Sequence, residues 1–329
     1  MRRPTLEAVA ARAGVSKSSV SRVVNGETSV TPAIRDQVLR AVRELGYVPN
    51  GAARSLATQS TDTVAVIVSD PPQGVVSDDP MFSTVVRTVS RVLEDAGKQV
   101  TLMLAGSKES RARIERFIAA GHAAGLLLVP MHGPDPLPGA LARMGVPMVS
   151  FGRTAPGVAY ADNDNVGGAS LAAGHLLSRG RRRVATITGP LDMIPSQDRL
   201  AGYRETLRES GRRSNVAIGD FTRVSGAQGM RQLLEDDPAL DAVFAANDLM
   251  AIGALHALRE AGRRVPDDVA VVGFDDIEAA MYTAPPLTTV RSPMGDQAAA
   301  AARLLLGLLD GEPGEPVIMQ NELVVREST

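Results

Sequence analysis

Residues 14–26, GVSKSSVSRVVNG, hold a cluster of side chains whose chemistry asks for a partner. At helical spacing Lys17, Ser18, Ser21, Arg22 and Asn25 share one face, while Val20, Val23 and Val24 share the other, with Val15 just ahead. A small helix with an apolar back and an uncluttered polar front is built to be pressed against something. A second set of residues stands where short β-rich runs end: Asp70, Met131, Arg153, Phe221, Asn247, Asp248, Asp275 and Asp276. Carboxylates and amides exchange hydrogen bonds with hydroxyls, Arg forks across two oxygens, and an aromatic ring covers an apolar face. That chemistry suits a small polyhydroxylated solute. Simpler roles compete: Asp248 and Asp276 could cap helices, Arg199 could pair with Glu205 or Asp198 at the surface, and Tyr203 could pack.

The elements that must position the first cluster lie in residues 5–45, which read as three helices. Thr5 can cap the first, with Leu6, Val9, Ala10 and Ala13 on one face and Gly14 ending it. Ser16 caps the second. Thr31 caps the third, Pro32 sits in its first turn, and Ile34, Val38, Val42 and Leu45 line its inner face before Gly46. Two helices about a Gly-Val-Ser turn, backed by a third, make a helix-turn-helix whose second helix enters the DNA major groove. The competing reading is an ordinary helical bundle. Residues 48–61, VPNGAARSLATQST, place Asn50 as the cap of a very short helix on which Ala53 and Leu56 share a face. A helix so short is marginal alone. It fits a minor-groove wedge that orders on DNA, or a plain linker.

From Thr63 onward β-rich runs alternate with helical ones. The runs are TVAVIVSD, QVTLMLAG, GLLLVPM, VPMVSFGR, RVATITGP, AVFAAND and DVAVVGFDD; helices are expected near 82–96, 111–120, 167–178, 198–209 and 249–261. Repeated βαβ units imply doubly wound parallel sheets, and about 265 residues is large for one, so two lobes are expected. PLTTVRSP reads as a strand crossing back between them. The strand-end residues then face a cleft.

Composition narrows the partner. Residues 1–60 carry nine Lys/Arg against four Asp/Glu, leaving 26 against 33 for the remainder of a 329-residue chain. A basic head on an acidic body predicts a polyanion partner for the head alone. The chain has no cysteine, its RRPTLEAVA start lacks the apolar core of a signal peptide, and the apolar run near 123–129 is too short for a membrane span. A cytoplasmic protein is expected. No nucleotide-binding, zinc-protease or serine-hydrolase motif occurs, and His122, His132, His175 and His256 are scattered. Neither catalysis, nor a metal, nor a cofactor is expected.

Taken together, TLEAVAARAGVSKSSVSRVVNG, LGYVPNGAARSLATQST, HLLSRGRRRVATITGP, DRLAGYRETL, AVFAANDLMAIGAL and VAVVGFDD…PPLTTVRSP resemble the lactose/galactose repressor (LacI/GalR) family of bacterial transcription regulators, over essentially the whole chain. The resemblance implies a homodimer on a pseudo-palindromic operator. It implies that Lys17, Ser18 and Arg22 read bases, that Thr5, Ser16, Ser21 and Asn25 touch phosphates, and that Asn50, Ala53 and Leu56 belong to the inserting hinge. It implies an N-terminal helix-turn-helix domain (1–48), a hinge (49–61), and an α/β periplasmic-binding-protein-like body (62–329). In that body lobe one spans about 62–161 with 290–322, and lobe two 162–289 with 323–329. Effector contacts fall on Phe82, Arg153, Tyr160, Arg199, Phe221, Asn247 and Asp275. No heptad tail follows the last expected strand. The loop SDPPQGVVSDDPMF departs from the family pattern and unsettles Asp70 and Asp79, while Val129, Pro130 and Met131 stand where relatives place a polar ligand. GPLDMIPSQDRLAGYR and the aromatic content of the cleft resemble members that sense plant-derived oligosaccharides, which points to a repressor of carbohydrate uptake or catabolism genes released by a sugar. A nucleobase-sensing member is the rival within the family. A sugar-binding protein without a DNA role is the rival outside it.

Overall fold

The computed structural model describes residues 4–24, 29–47, 61–68, 80–129, 135–154 and 156–329. It falls into two compact units, Met1–Thr61 and Asp62–Thr329.

In the first unit α1 spans Leu6–Ala13, α2 Lys17–Val24 and α3 Pro32–Leu45. The Thr5 hydroxyl accepts the Ala8 N–H at 3.3 Å, and Gly14 closes α1 at φ +65°, a conformation that costs a glycine little. Ser16 Oγ accepts the Ser19 N–H at 3.1 Å and so caps α2. Thr31 differs from expectation. It stands at the N-cap of α3 in extended backbone, but its side chain makes no capping bond there. Pro32 at the first turn removes one of the amides that a cap would satisfy. Val9, Val20, Val38, Ala41 and Tyr47 form the small core, with Leu6, Val15, Ile34, Val42 and Leu45 packed around it.

The second unit holds two six-stranded sheets. The first contains β1 (Thr63–Val68), β2 (Gln99–Leu104), β3 (Gly125–Val129), β4 (Met148–Phe151), β5 (Ala159–Asn163) and β11 (Val317–Met319), in the order β11-β5-β4-β3-β1-β2. All its pairings are parallel. Helices α4 (Pro80–Asp95) and α11 (Met294–Leu309) supply one covering layer, with Val64, Val66, Val89, Leu93 and Leu305 in its core. Helices α5 (Lys108–Ala119) and α6 (Leu137–Ala142) supply the other, with Ile67, Ile114, Leu126, Leu128 and Leu141. Strand β3 is buried along its whole length because both its faces are covered, hence its unbroken apolar run.

The second sheet contains β6 (Val184–Thr188), β7 (Asn215–Ile218), β8 (Ala242–Ala245), β9 (Ala270–Asp275), β10 (Thr288–Arg291) and β12 (Glu322–Val324), ordered β12-β10-β9-β8-β6-β7. It is parallel except for β12, which runs antiparallel to β10 at the edge. Helices α7 (Asn165–Ser178) and α8 (Ile194–Glu209) cover one face over Tyr203, Phe244 and Phe274. Helices α9 (Arg223–Asp236) and α10 (Asp248–Glu260) cover the other over Met230, Val243, Met250 and Val271. Tyr203 is fully buried, and its hydroxyl donates to Val184 O at 2.8 Å, so it packs.

The chain passes between the lobes at Asp164, at Ser292–Pro293 and at Gln320–Asn321, a few residues from the boundaries expected at 161/162, 289/290 and 322/323. PLTTVRSP is not itself the crossing: β10 pairs with β9 inside the second sheet, and the crossing follows it. Hydrogen bonds knit the three passages together. Asn163 Nδ2 donates to Ser292 Oγ (2.5 Å) and Gln297 Oε1 (2.7 Å), Asp164 N–H to Met319 O (2.9 Å), and Asn321 Nδ2 to Asp164 O (2.8 Å).

Helices α9 and α10 approach backbone to backbone through glycines. A Cβ at Gly226 would lie 2.2 Å from Met250 O, and one at Gly253 would lie 2.0 Å from Arg223 O. Gly253→Ala therefore has to push the helices apart, and overpacking of this kind costs about 1–3 kcal/mol. A thermal melt should show the midpoint falling by about 2–4 °C for each kcal/mol lost; an unchanged midpoint would mean that the helices separate freely.

Candidate functional site

On the first unit Thr5, Ser16, Lys17, Ser18 and Arg22 are exposed and Ser21 is half-buried, so the polar front of α2 faces outward while Val20 and Val23 hold it to the core. The hydroxyls of this front are mutually arranged: Ser16 Oγ lies 2.8 Å from Ser18 Oγ and 2.9 Å from Ser19 Oγ. Lys17 Nζ donates to Glu7 Oε1 at 2.5 Å, linking α2 to the first turn of α1. Asn25, Asn50, Ala53 and Leu56 lie outside the described residues, as do Asp70, Asp79, Pro130 and Met131.

In the second unit the strand ends converge around one buried cation. Arg199, on α8, is 8% exposed. Its Nε donates to Asn165 Oδ1 (2.9 Å), its Nη1 to Ala246 O (2.5 Å) and Asp275 Oδ1 (3.4 Å), and its guanidinium lies 3.7 Å from the centre of the Phe274 ring. Arg199 is thus neither a surface partner of Glu205, which pairs with Arg208, nor of Asp198. Burial pulls its proton affinity down from the ordinary Arg value, against the opposing pull of Asp275 and Asp162. Cation–π contact and charge-assisted hydrogen bonds offset part of that desolvation.

From Asn165 the network continues into the first lobe. Asn165 Nδ2 donates to Asp162 Oδ1 at 3.2 Å, and Arg153 Nε donates to Asp162 Oδ2 at 2.9 Å. Arg153 also forms an ion pair with Asp198 on α8, so one half-exposed guanidinium holds a carboxylate of each lobe. A second pair stands beside this cluster. Asn247 caps α10 by accepting the Met250 N–H (2.9 Å) and donates to Phe221 O (3.0 Å). The Phe221 ring lies against Gly189 at the end of β6, where a Cβ would come within 2.2 Å of it. Phe82, in the first turn of α4, packs against the core of the first lobe, and Tyr160 lies two residues before Asp162 on β5.

Phe221 (φ +69°), Asp275 (φ +104°) and Asp276 (φ +56°) are the non-glycine residues with positive φ among those described. All three follow or end strands of the second sheet, and such strain persists only where surrounding contacts over-determine it. At 275–276 those contacts are visible. Asp276 receives Arg291 Nε (2.8 Å) and Arg326 Nη2 (2.6 Å), and the short helix that follows has Ile277, not Asp276, at its N-cap. Asp248 Oδ2 accepts the Ile277 N–H (2.9 Å), and its Oδ1 meets Thr289 Oγ1 (2.6 Å).

Residues 5–50 match the model of bacterial regulatory proteins of the lacI family, and residues 173–329 match the periplasmic binding protein-like domain. The HTH-type transcriptional regulator CelR of Thermobifida fusca is 46% identical over 99% of this chain and 98% of its own. The chain belongs to the lacI family of bacterial regulatory proteins. The Escherichia coli ribose operon repressor, another lacI-family relative, is 34% identical over 97% of this chain and 96% of its own. A solved CelR–cellobiose complex superposes with a TM-score of 0.78 at 44% identity, covering 99% of this chain and 100% of that one. The lac repressor dimer bound to operator and an anti-inducer superposes at 0.87 with 28% identity, over 100% and 99% of the two chains. These relatives are transcriptional regulators, not enzymes. No described helix is long and apolar enough to cross a membrane.

Sequence reasoning missed the residues that support Arg199 and Arg153: Asp162, Asn165, Asp198 and Phe274. DRLAGYR put Asp198 beside Arg199 in sequence, but only the helix direction sends one to Arg153 and the other into the core. The N-cap of α10 is Asn247, not Asp248.

Burial, then the nearby Asp275 carboxylate, pushes the Asp248 carboxyl up to about 8, so below that pH it is protonated in the folded protein. An unfolded Asp ionises near pH 4, so between about 4 and 8 the folded state binds more protons and stability falls as pH rises. In Asp248→Asn the amide can donate to Thr289 and still accept from Ile277. Melts across pH 4–9 should show a flatter profile for the variant, with its advantage greatest near pH 8–9; parallel profiles would mean that Asp248 is ionised in the fold.

Proposed function

We propose that this chain is a homodimeric repressor of carbohydrate uptake or catabolism genes in the cytoplasm, released from a pseudo-palindromic operator by a gluco-oligosaccharide. Residues 1–48 form the DNA-binding head, 49–61 the hinge and 62–329 the effector-binding body. Lys17, Ser18 and Arg22 face bases, and Thr5, Ser16 and Ser21 face phosphates. Arg153, Arg199 and Asp275 grip sugar hydroxyls, with Phe221 and Asn247 beside them and Phe82 and Tyr160 contributing from the first lobe. The observation that carries the effector reading is the buried Arg199, which spends donors on Asn165, Ala246 and Asp275 at the strand ends where α/β folds bind ligands. The likeness to CelR favours a disaccharide of glucose over a nucleobase.

The body offers a surface for a second copy. Tyr282 (77% exposed), Val224 (66%) and Met281 (48%) are apolar side chains left in solvent on the second lobe. Exposed apolar side chains mark an association surface only where they are contiguous, and Met281 and Tyr282 are neighbours in the chain, so the second copy of this reading is placed over them. Tyr282→Asp should shift the dimer toward monomer in sedimentation at micromolar concentration, and operator affinity should fall with it. A variant that remains dimeric would place the interface elsewhere.

Release requires a ligand that discriminates between the DNA-competent and DNA-incompetent arrangements. Arg153 spans both lobes, so a sugar that takes hydrogen bonds from it changes how the lobes close. Losing one charge-assisted hydrogen bond costs about 1.5–3 kcal/mol, roughly ten-fold or more in affinity. Asp275→Asn should therefore keep operator binding while raising the cellobiose concentration for half-release at least about ten-fold. Gel shifts with cellobiose, maltose, glucose and a nucleobase test both claims. Release by the nucleobase alone, or by cellobiose equally in wild type and variant, would overturn the effector assignment.

A further inference from the structure

The ion pair between Glu7 and Lys17 ties together two elements of the proposed recognition face. Glu7 lies in the first turn of α1, and its Oε1 accepts from Lys17 Nζ at 2.5 Å across to the first residue of α2. The Lys17 ammonium, first of all, holds the Glu7 carboxyl below its ordinary value. Both members are well exposed, at 63% and 65% of their side-chain surface. An ion pair so exposed adds little to folding, so its consequence is to be sought in what the ammonium can do when DNA arrives.

A lysine has a four-carbon stem and a compact charge with three rotatable donors. Left to itself on a DNA-facing helix, it swings to a phosphate and neutralises it, which strengthens binding to every sequence alike. Held by a carboxylate, it has two donors remaining and a fixed direction. The pair as a whole carries no net charge, so it gains nothing from the phosphate backbone. What such a held ammonium can still do is donate to the paired acceptors of a guanine edge in the major groove.

We propose that Glu7 is a positioning residue for operator recognition: it withholds Lys17 from the phosphates and aims its remaining donors at one symmetric guanine position. This rests on the reading of α2 as the DNA-facing helix. Glu7 itself touches no base in this arrangement. Its effect is on specificity, and it sharpens discrimination by lowering affinity for random DNA as well as by ordering the contact with the operator.

The test uses the full chain and a randomised duplex library, followed by titrations of the selected operator, its single-position variants and a random duplex across several salt concentrations. Glu7→Gln should bind the random duplex more tightly at low salt. Its salt dependence should steepen by about one counterion per head, hence about two per dimer. Its preference at one symmetric base pair should fall about five-fold or more, the lower range of what one good base contact supplies. Lys17→Ala should lose preference at that same position, the double variant should lose no more than Lys17→Ala alone, and Glu7→Asp should restore part of the preference. A merely structural role would move the melting temperature and none of these readouts. If Glu7→Gln keeps the wild-type salt slope and base preference, or loses preference at a different position from Lys17→Ala, the role assigned to Glu7 is wrong. If the wild type selects no sequence from the library, the DNA-binding reading itself fails.

Discussion

The body is organised around a charge that has been taken out of water. Arg199 sits on the Phe274 ring with its donors directed to Asn165, Ala246 and Asp275, and each of these comes from a different element: α7, the loop after β8 and the end of β9. A buried guanidinium is tolerable only when its donors are met, so the ends of those elements are held to a common point. The strained backbone at Asp275 and Asp276 follows from the same demand. The turn presents Asp275 to Arg199 while Arg291 and Arg326 hold Asp276, and Asp248 clamps the next amide.

Among the described residues the apolar clusters of the two lobes are separate, and polar contacts run between the lobes. Each lobe closes its own hydrophobic layers on both sheet faces. Between them run the Arg153–Asp162–Asn165–Arg199 chain, the Arg153–Asp198 pair and the bonds among the three passages. On the effector reading proposed above, a hydroxyl-rich ligand would compete for such bonds, whereas it would have no purchase on a packed interface. A net free energy of a kcal/mol or two is enough to redistribute two arrangements, and exchanging hydrogen bonds of this kind supplies it.

The head follows a different rule. Its core is small, made of a few valines, two alanines and a tyrosine, and its outward face is polar throughout α2. The buried and the polar residues occupy opposite faces of the same short helix, so the polar ones can vary in chemistry while Val20 and Val23 keep the helix seated. The positive balance of residues 1–60 against the negative balance of the rest keeps the attraction to a polyanion local to the head.

Much of this was legible in the sequence because it depends on local periodicity. The three head helices, their glycine stops and the central strands announce themselves: buried strands such as β1 and β3 are unbroken apolar runs, and the valines of α2 recur at helical spacing. The strand ends that carry Arg153, Asn247 and Asp275 could be found because a strand must end somewhere, and polar residues mark the place. Strands β5, β7, β11 and β12 were not legible, being short, partly exposed or carrying the polar residues of the passages. Which lobe each passage joins, why Thr31 makes no cap bond and why β12 runs antiparallel were likewise decided in three dimensions. So was the pairing inside the cleft. Asp162 and Arg199 are far apart in sequence and Asp198 and Arg199 adjacent, yet Asn165 bridges the first two, while helix geometry turns the adjacent pair to different partners. Local sequence determines where polar groups interrupt apolar ones; which of those groups meet is settled only when burial obliges each to find a partner.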